Sequence, residues 1–319
     1  WGSIVEVKYL LARGFNLVWL KSGIFDHPVV DGLARHSANR LCGDATRVRV
    51  STKNVENHDD GSPGPGRERH CLARSGRFFT GDSERALLEN TTRSTGSVPL
   101  DRWDVEIADG VGVRFVAFME TVTAFDNVLF GVSAPEAIAM DPQHRGILEE
   151  ALTVLSNHAA RETDTAVAIG IQHLEYGALF GNFIQPSPFA ATGSALSVCA
   201  GRVSYAFGFI KPSICVDTAC SSSLTTIHLM LNEGLSNEYM CGGVNYILGK
   251  RNCDAVRVAG MLAPDGRCKV FDTTADGYGR SEAVSMFRFG RMNSDAPVAF
   301  VVCGSACGQD GRSASLTAP

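Results

Sequence analysis

The hydrophobic period of this chain changes abruptly at one place, just before Ser222. Ser213-Ile214-Cys215-Val216-Asp217 reads as a short buried strand, whereas Leu224, Ile227, His228, Leu231 and Leu235 recur at helical spacing. The junction reads Ala219-Cys220-Ser221-Ser222-Ser223, which sets one thiol on the turn between strand and helix. Unpaired N–H groups at the helix start, and the positive end of its dipole, favour thiolate over thiol there. Cys220 is therefore a candidate nucleophile toward a thioester near neutral pH. An arbitrary cysteine in an α/β core more often packs as a small hydrophobe, so the assignment leans on its context.

That context alternates between the two periods. Residues 135–155 carry Ala137, Ile138, Leu148, Ala151, Leu152 and Leu155, which predicts a helix broken near Pro142. Residues 166–171 read as a buried strand, 196–206 as helix, 213–217 as strand, 222–235 as helix and 298–302 as strand. Helices alternating with strands in this way predict a layered α/β fold.

Several blocks around the junction form an ordered set. Val98-Pro99-Leu100-Asp101-Arg102-Trp103-Asp104 is followed by Phe130-Gly131-Val132-Ser133-Ala134-Pro135-Glu136-Ala137 and Met140-Asp141-Pro142-Gln143-His144-Arg145. After Cys220 come Gly266-Arg267-Cys268-Lys269-Val270-Phe271-Asp272, Ala275-Asp276-Gly277-Tyr278-Gly279-Arg280-Ser281-Glu282 and the closing Gln309-Asp310-Gly311-Arg312-Ser313 block. With Asp217-Thr218-Ala219-Cys220-Ser221-Ser222-Ser223-Leu224, the series resembles the ketosynthase (β-ketoacyl synthase) domains of type I polyketide synthases. The resemblance covers about residues 72–319, most strongly after residue 98. A fatty-acid-synthase condensing domain uses the same chemistry. Asp101-Arg102-Trp103 and the Asp-Gly-Arg-Cys-Lys block lean toward the polyketide type.

The resemblance implies a thiolase-like fold, mixed sheets sandwiched by helices, here the amino-terminal portion and incomplete at its C-terminus. It implies an acyltransferase in which Cys220 takes an acyl group from a carrier-protein thioester for decarboxylative condensation with a malonyl-type extender. It implies no directly bound cofactor, since substrate arrives on the phosphopantetheine arm of an acyl carrier protein, and a homodimer. The family's two enolate-stabilising histidines lie in His-Gly-Thr-Gly-Thr and Asn-Ile-Gly-His motifs that this chain lacks. Hence the alternative reading: a truncated or decayed ketosynthase without condensing activity, serving as an interaction or dimerisation module.

Other candidates read as structural. His228 lies eight residues beyond Cys220, about 12 Å of helical rise at ~1.5 Å per residue, too far to serve the thiol. His144 reads as a packing residue beside Arg145, and His27, His36, His58, His70, His158 and His173 offer no usable base. Arg280 and Glu282 read as charges that order the floor of the site through a salt bridge or hydrogen bonds, with Asp276 in the same block. The Gly242-Gly243 and Gly193 segments lack the Gly-Lys-Ser/Thr ending of a phosphate loop and read as close-packing positions.

Composition narrows the partners. A net charge of −5 without a run of like charge predicts no nucleic-acid partner, and no run approaches the ~20 apolar residues of a membrane span. Ten cysteines, scattered and without a Cys-x-x-Cys pair, predict a reducing, cytoplasmic setting rather than a disulfide framework. Cys303 and Cys307 lack nearby histidines, so no metal is predicted. Residues 1–71 match no motif and read as an unassigned segment or linker, with a polar stretch over 54–69. His70 to Phe79 stands where the family has a glycine-punctuated first strand, and Arg74 and Arg77 suit a central position poorly.

Overall fold

In the computed structural model, the described residues are 6–13, 16–21, 69–78, 95–105, 112–120, 122–156, 163–180, 187–234, 236–290, 300–309 and 311–312. The stretch 54–68, the histidines at 27, 36, 58 and 158, residues 298–299 and the end of the closing block lie outside them.

Strand β6 (Thr165–Gly170) is buried at every position, which its unbroken apolar run anticipates. Its neighbours β7 (Ser213–Val216) and β8 (Glu238–Asn245) are both parallel to it. The order of the eight-stranded sheet is β2-β1-β11-β3-β10-β8-β6-β7. Here β1 is Glu6–Arg13, β2 Asn16–Lys21, β3 Arg69–Phe78, β10 Ala283–Gly290 and β11 Phe300–Gly308. A second sheet orders β4 (Gly96–Ser97), β5 (Phe115–Ala117) and β9 (Arg280–Ser281) side by side.

Alternation along the strands builds the three layers. Val167, Ile169, Met240, Val244, Val284 and Met286 face one side, where they meet α2 (Pro142–Ser156) and α5 (Leu196–Phe207). Ala166, Ala168, Tyr239, Cys241 and Phe289 face the other, against Ile227 and Met230 of α6 (Ser222–Glu233). Burying side chains of this size contributes roughly 1.5–3 kcal/mol each. This is the layered α/β arrangement that the alternating periods predict.

Helix boundaries follow local chemistry. The expected break near Pro142 separates α1 (Ala134–Ala139), capped by Ser133 Oγ, from α2, whose first turn begins at the proline. Gly208 and Gly234 end α5 and α6 in the left-handed conformation, at φ 74° and 68°. Short helices α3 (Tyr176–Phe180) and α4 (Ala190–Gly193), and α7 (Lys250–Val258), complete the set.

Two structural features bear on the first part of the chain. Residues 6–21, read as unassigned or linker, include a β1–β2 hairpin that pairs with β11, and β3 begins at Arg69, inside the segment read as linker. The first strand is also interior to the sheet despite Arg74 and Arg77. Its pairing is uneven: β10 accompanies it from His70 to Phe78, but β11 pairs only with residues Arg69, His70 and Cys71. The two arginines therefore stand where β3 has a strand partner on one side only.

Candidate active site

Cys220 lies in a short 3₁₀ turn, Ala219–Ser221, between β7 and α6. The hydroxyls around it explain why this sequence turns here. Asp217 Oδ1 accepts from the Ala219 amide at 2.9 Å, and Ser222 Oγ accepts from the Thr218 amide at 2.9 Å while donating to the Ala219 carbonyl at 2.6 Å. Ser221 Oγ reaches Thr218 O and Thr218 Oγ1, both at 2.8 Å, and Thr225 Oγ1 closes the set 3.0 Å from Thr218 Oγ1. Ser221, Ser222 and Thr225 are buried and bonded, as buried hydroxyls must be, whereas Cys220 is exposed. The polar run thus folds onto itself and presents one thiol outward.

Backbone strain marks the same turn. Ala219 has φ 55°, one of two described non-glycine residues with positive φ, the other being Phe271 at 60°. The turn is held tight from below by glycine. A Cβ on Gly170 would lie 2.5 Å from the Ser223 nitrogen, and one on Gly243 would lie 2.6 Å from the Ser223 Cβ. Strand ends β6 and β8 therefore touch the first residues of α6 directly. The amides of Ala219 and Ser221 are engaged, and among the described residues no acceptor takes the Cys220 amide.

Tyr278 comes to this turn from the loop before β9, and Arg280, the first residue of β9, lies beside it. Burial raises the Tyr278 phenol, the Arg280 charge opposes the rise, and the Cys220 and Cys253 thiols lie close enough to add to it. Tyr278 was not among the residues that sequence reasoning singled out. It lies far along the chain from Cys220, and only its Asp-Gly-Tyr-Gly context signals it. Burial pushes Cys253, on α7, up to about 11. Glu175 accepts from the Leu248 and Gly249 amides and from Asn252 Nδ2, fixing the start of α7 beside this group.

Glu282 is a structural charge, as its block predicts, but its ionic partner is Arg102. Arg102 Nη1 and Nη2 donate to its two oxygens at 2.8 and 3.0 Å, and the Met119 and Ile247 amides donate at 2.9 and 2.8 Å. Burial raises the Glu282 carboxyl even so, with the Ile247 amide and Arg102 opposing. Asp276 is bound by Lys269, which also holds Asp265, so this carboxylate pins the exposed loop.

His228 and His144 take the packing roles expected of them. His228 Nδ1 sits 2.9 Å from Ser305 Oγ on β11, and burial lowers its pKa. His144 is fully buried with neither ring nitrogen hydrogen-bonded, and burial, then Arg202, lowers it to about 3. Among the described residues no group of three or more His, Cys, Asp or Glu is arranged to hold a metal ion. A cavity of about 240 Å³ opens near α1, lined by Phe125, Ala134, Arg145 and Tyr176 among others, none of them on the Cys220 turn.

The same layered fold occurs in solved ketosynthases. The ketosynthase from module 6 of the bacillaene synthase of Bacillus subtilis 168 superposes with a TM-score of 0.70 at 28% identity, over 79% of this chain and 46% of that one. An oxazolomycin ketosynthase domain from Streptomyces albus gives 0.62 at 28% identity, over 72% of this chain and 45% of its own. This is the thiolase-like class that the sequence predicts. The family described as "Beta-ketoacyl synthase, N-terminal domain" matches residues 75–291, and the chain belongs to that family. Erythronolide synthase EryA3 of Saccharopolyspora erythraea is 33% identical over 99% of the chain. A mycocerosic acid synthase-like polyketide synthase of Mycolicibacterium smegmatis is 35% identical over 70%. The chain spans 11% and 12% of the lengths of these two relatives.

Proposed function

We propose that Cys220 is the acyl-accepting nucleophile of a polyketide-synthase ketosynthase. Its sulfur attacks the carbonyl of an acyl thioester carried on the phosphopantetheine arm of an acyl carrier protein. The tetrahedral oxyanion collapses, the carrier C–S bond breaks, and the carrier thiolate leaves with the acyl group transferred to Cys220. In the second half-reaction a malonyl-type thioester loses CO₂, and its enolate carbon attacks the acyl-Cys220 carbonyl, returning the Cys220 thiolate and leaving a β-ketoacyl thioester on the carrier. The observation that carries this reading is an exposed thiol on a strained turn two residues before a helix start, beside Ser221 and Ser222 hydroxyls that bond within the turn. The unengaged Cys220 amide supports a role as oxyanion donor.

Family membership supports the rest of the reading: a carrier protein and a second copy of the chain as partners, no resident cofactor, and residues 72–319 as the ketosynthase portion. All seven cysteines with described side chains are free thiols, which supports a reducing, cytoplasmic setting. Among the described residues no helix is long and apolar enough to cross a membrane. The test is mass spectrometry of the folded chain after incubation with an acyl thioester. An acyl adduct on the Cys220 peptide, absent in Cys220→Ala, is the expected result, and a folded, unmodified Cys220 refutes the assignment.

A further inference from the structure

The cavity near α1 sets a cation against an apolar wall. The wall is formed by the Phe125 and Tyr176 rings and by Ala134, Ala137 and Ile138 of α1. Among the described lining residues Arg145, on α2, is the one that carries a charge. Its guanidinium is fixed from one side. Nε and Nη2 both donate to the Met140 carbonyl, at 3.0 and 2.6 Å, and Cζ lies 5.6 Å from the centre of the Tyr176 ring. Tyr176 is held in turn, since its hydroxyl donates to the Ile138 carbonyl at 2.8 Å, and Phe125 is backed by Phe130, stacked on it at 5.2 Å. Among the described residues no acceptor takes Arg145 Nη1, and no carboxylate forms an ion pair with this side chain. The acids on neighbouring elements are engaged elsewhere: Glu136 with Arg202, Glu175 with the start of α7, and Asp141 with the Gln143 amide.

We propose that this cavity binds a small monocarboxylate with an apolar body, held by the Nη1 edge of Arg145, at a site separate from Cys220. One fixed cation in an apolar recess matches one negative charge. A second charge, as on a phosphate dianion, would be desolvated there without a partner. A guanidinium binds carboxylate oxygens in its own plane, and the two bonds to Met140 set that plane before a ligand arrives, so little ordering is left to the binding step. The recess also sets the size of the body. A dry cavity of about 150 Å³ holds benzene, and one of about 240 Å³ with a cation at its edge has room for benzoate or hexanoate. The ring or chain lies on Phe125 and Ala137 while the carboxylate meets Arg145.

The full chain is titrated with benzoate, hexanoate and benzyl alcohol, with binding followed by saturation-transfer NMR, and inorganic phosphate is added as a competitor. The expected result is saturable binding of benzoate and hexanoate, binding of benzyl alcohol weaker by about tenfold or more, and no displacement of benzoate by phosphate. Benzoate is also expected to protect Arg145 from phenylglyoxal in a peptide map. Ala137→Leu fills the recess and leaves Arg145 in place, and it is expected to lose benzoate; Arg145→Gln is expected to bind benzoate no better than benzyl alcohol. The proposal fails if benzoate does not bind saturably, if benzyl alcohol binds as tightly, or if phosphate displaces benzoate as well as hexanoate does. It fails equally if Ala137→Leu binds benzoate as the wild-type chain does. The wild-type titrations and Ala137→Leu decide the matter even where Arg145→Gln does not fold.

Discussion

Arg102 and Glu282, 180 residues apart, form a two-armed ion pair with N–O distances of 2.8 and 3.0 Å around a carboxylate that is 0% exposed. Arg102 also donates to the Ile247 carbonyl at 2.9 Å and lies 4.7 Å over the Phe118 ring, so it joins the residue after β5 to the segment after β8. Removing one member of a buried pair costs about 3–5 kcal/mol because the other charge stays desolvated. In Arg102→Ala that charge is Glu282, which burial already raises. A carboxyl raised on folding binds its proton more tightly in the native state, so stability falls as pH rises from the ordinary carboxylate range through the folded value. Urea unfolding of Arg102→Ala is expected to show a larger loss at about pH 8 than at about pH 5. An equal loss at both would mean that Arg102 acts through packing alone.

Asp141 and His144 should oppose one another in the pH dependence of stability. Burial raises Asp141 from 3.8 to about 6, against the Gln143 and Tyr176 amides and Arg145, and lowers His144 from 6.5 to about 3. Between about pH 4 and 6 the native Asp141 holds protons that the unfolded chain releases, so its contribution falls as pH rises. Over the same range the unfolded His144 binds protons that the native one refuses, so its contribution falls as pH drops. One proton corresponds to ~1.4 kcal/mol per pH unit, and the two slopes nearly cancel. Asp141→Asn is expected to lose stability on acidification at about that slope, and His144→Gln to gain it. Denaturant titrations at several pH values measure both, and variants that keep the wild-type profile would refute the opposition.

Legibility in the sequence tracked locality. The helices α2, α5 and α6 announced themselves by period, and β6 by its apolar run. Strand β8 did not, because Gly242 and Gly243 weaken any strand pattern. They are glycines because a Cβ on Gly242 would lie 2.3 Å from the Ser285 carbonyl oxygen and one on Gly243 would strike Ser223. Cys220 was visible from its neighbours on either side. Its approach by Tyr278, and the choice of Arg102 for Glu282, depend on contacts far apart in the chain that no local pattern encodes.

Gly170→Ala and Gly201→Ala should have opposite signs. A methyl at residue 170 would sit 2.5 Å from the Ser223 nitrogen and 2.7 Å from the Ser222 carbonyl carbon, backbone that moves only if the start of α6 moves. Overpacking of this kind costs about 1–3 kcal/mol, and here it displaces the Cys220 turn as well. At Gly201, inside α5, nothing lies within 4 Å of the added methyl, and Ala is the better helix former by about 0.5–1 kcal/mol. Thermal unfolding compares the two, with acylation of Cys220 expected to slow only in Gly170→Ala. A stabilised Gly170→Ala would contradict the direct contact between β6 and α6.

Ala219→Gly separates the stability of the turn from its function. Ala219 holds φ 55°, a conformation that costs a residue with a Cβ about 1 kcal/mol and costs glycine little. The hydrogen bonds from the residue 219 amide to Asp217 and from Ser222 to the residue 219 carbonyl impose that conformation, so glycine adopts it with the steric penalty removed. Glycine also opens neighbouring conformations that the methyl forbids, and the thiol one residue on loses its fixed direction. The expected outcome is a protein more stable by about 0.5–1 kcal/mol whose Cys220 is acylated several-fold more slowly. Thermal unfolding and a mass-spectrometric time course with an acyl thioester measure the two effects on one sample. If acylation keeps its wild-type rate while stability rises, the strain at Ala219 does not aim the Cys220 thiol.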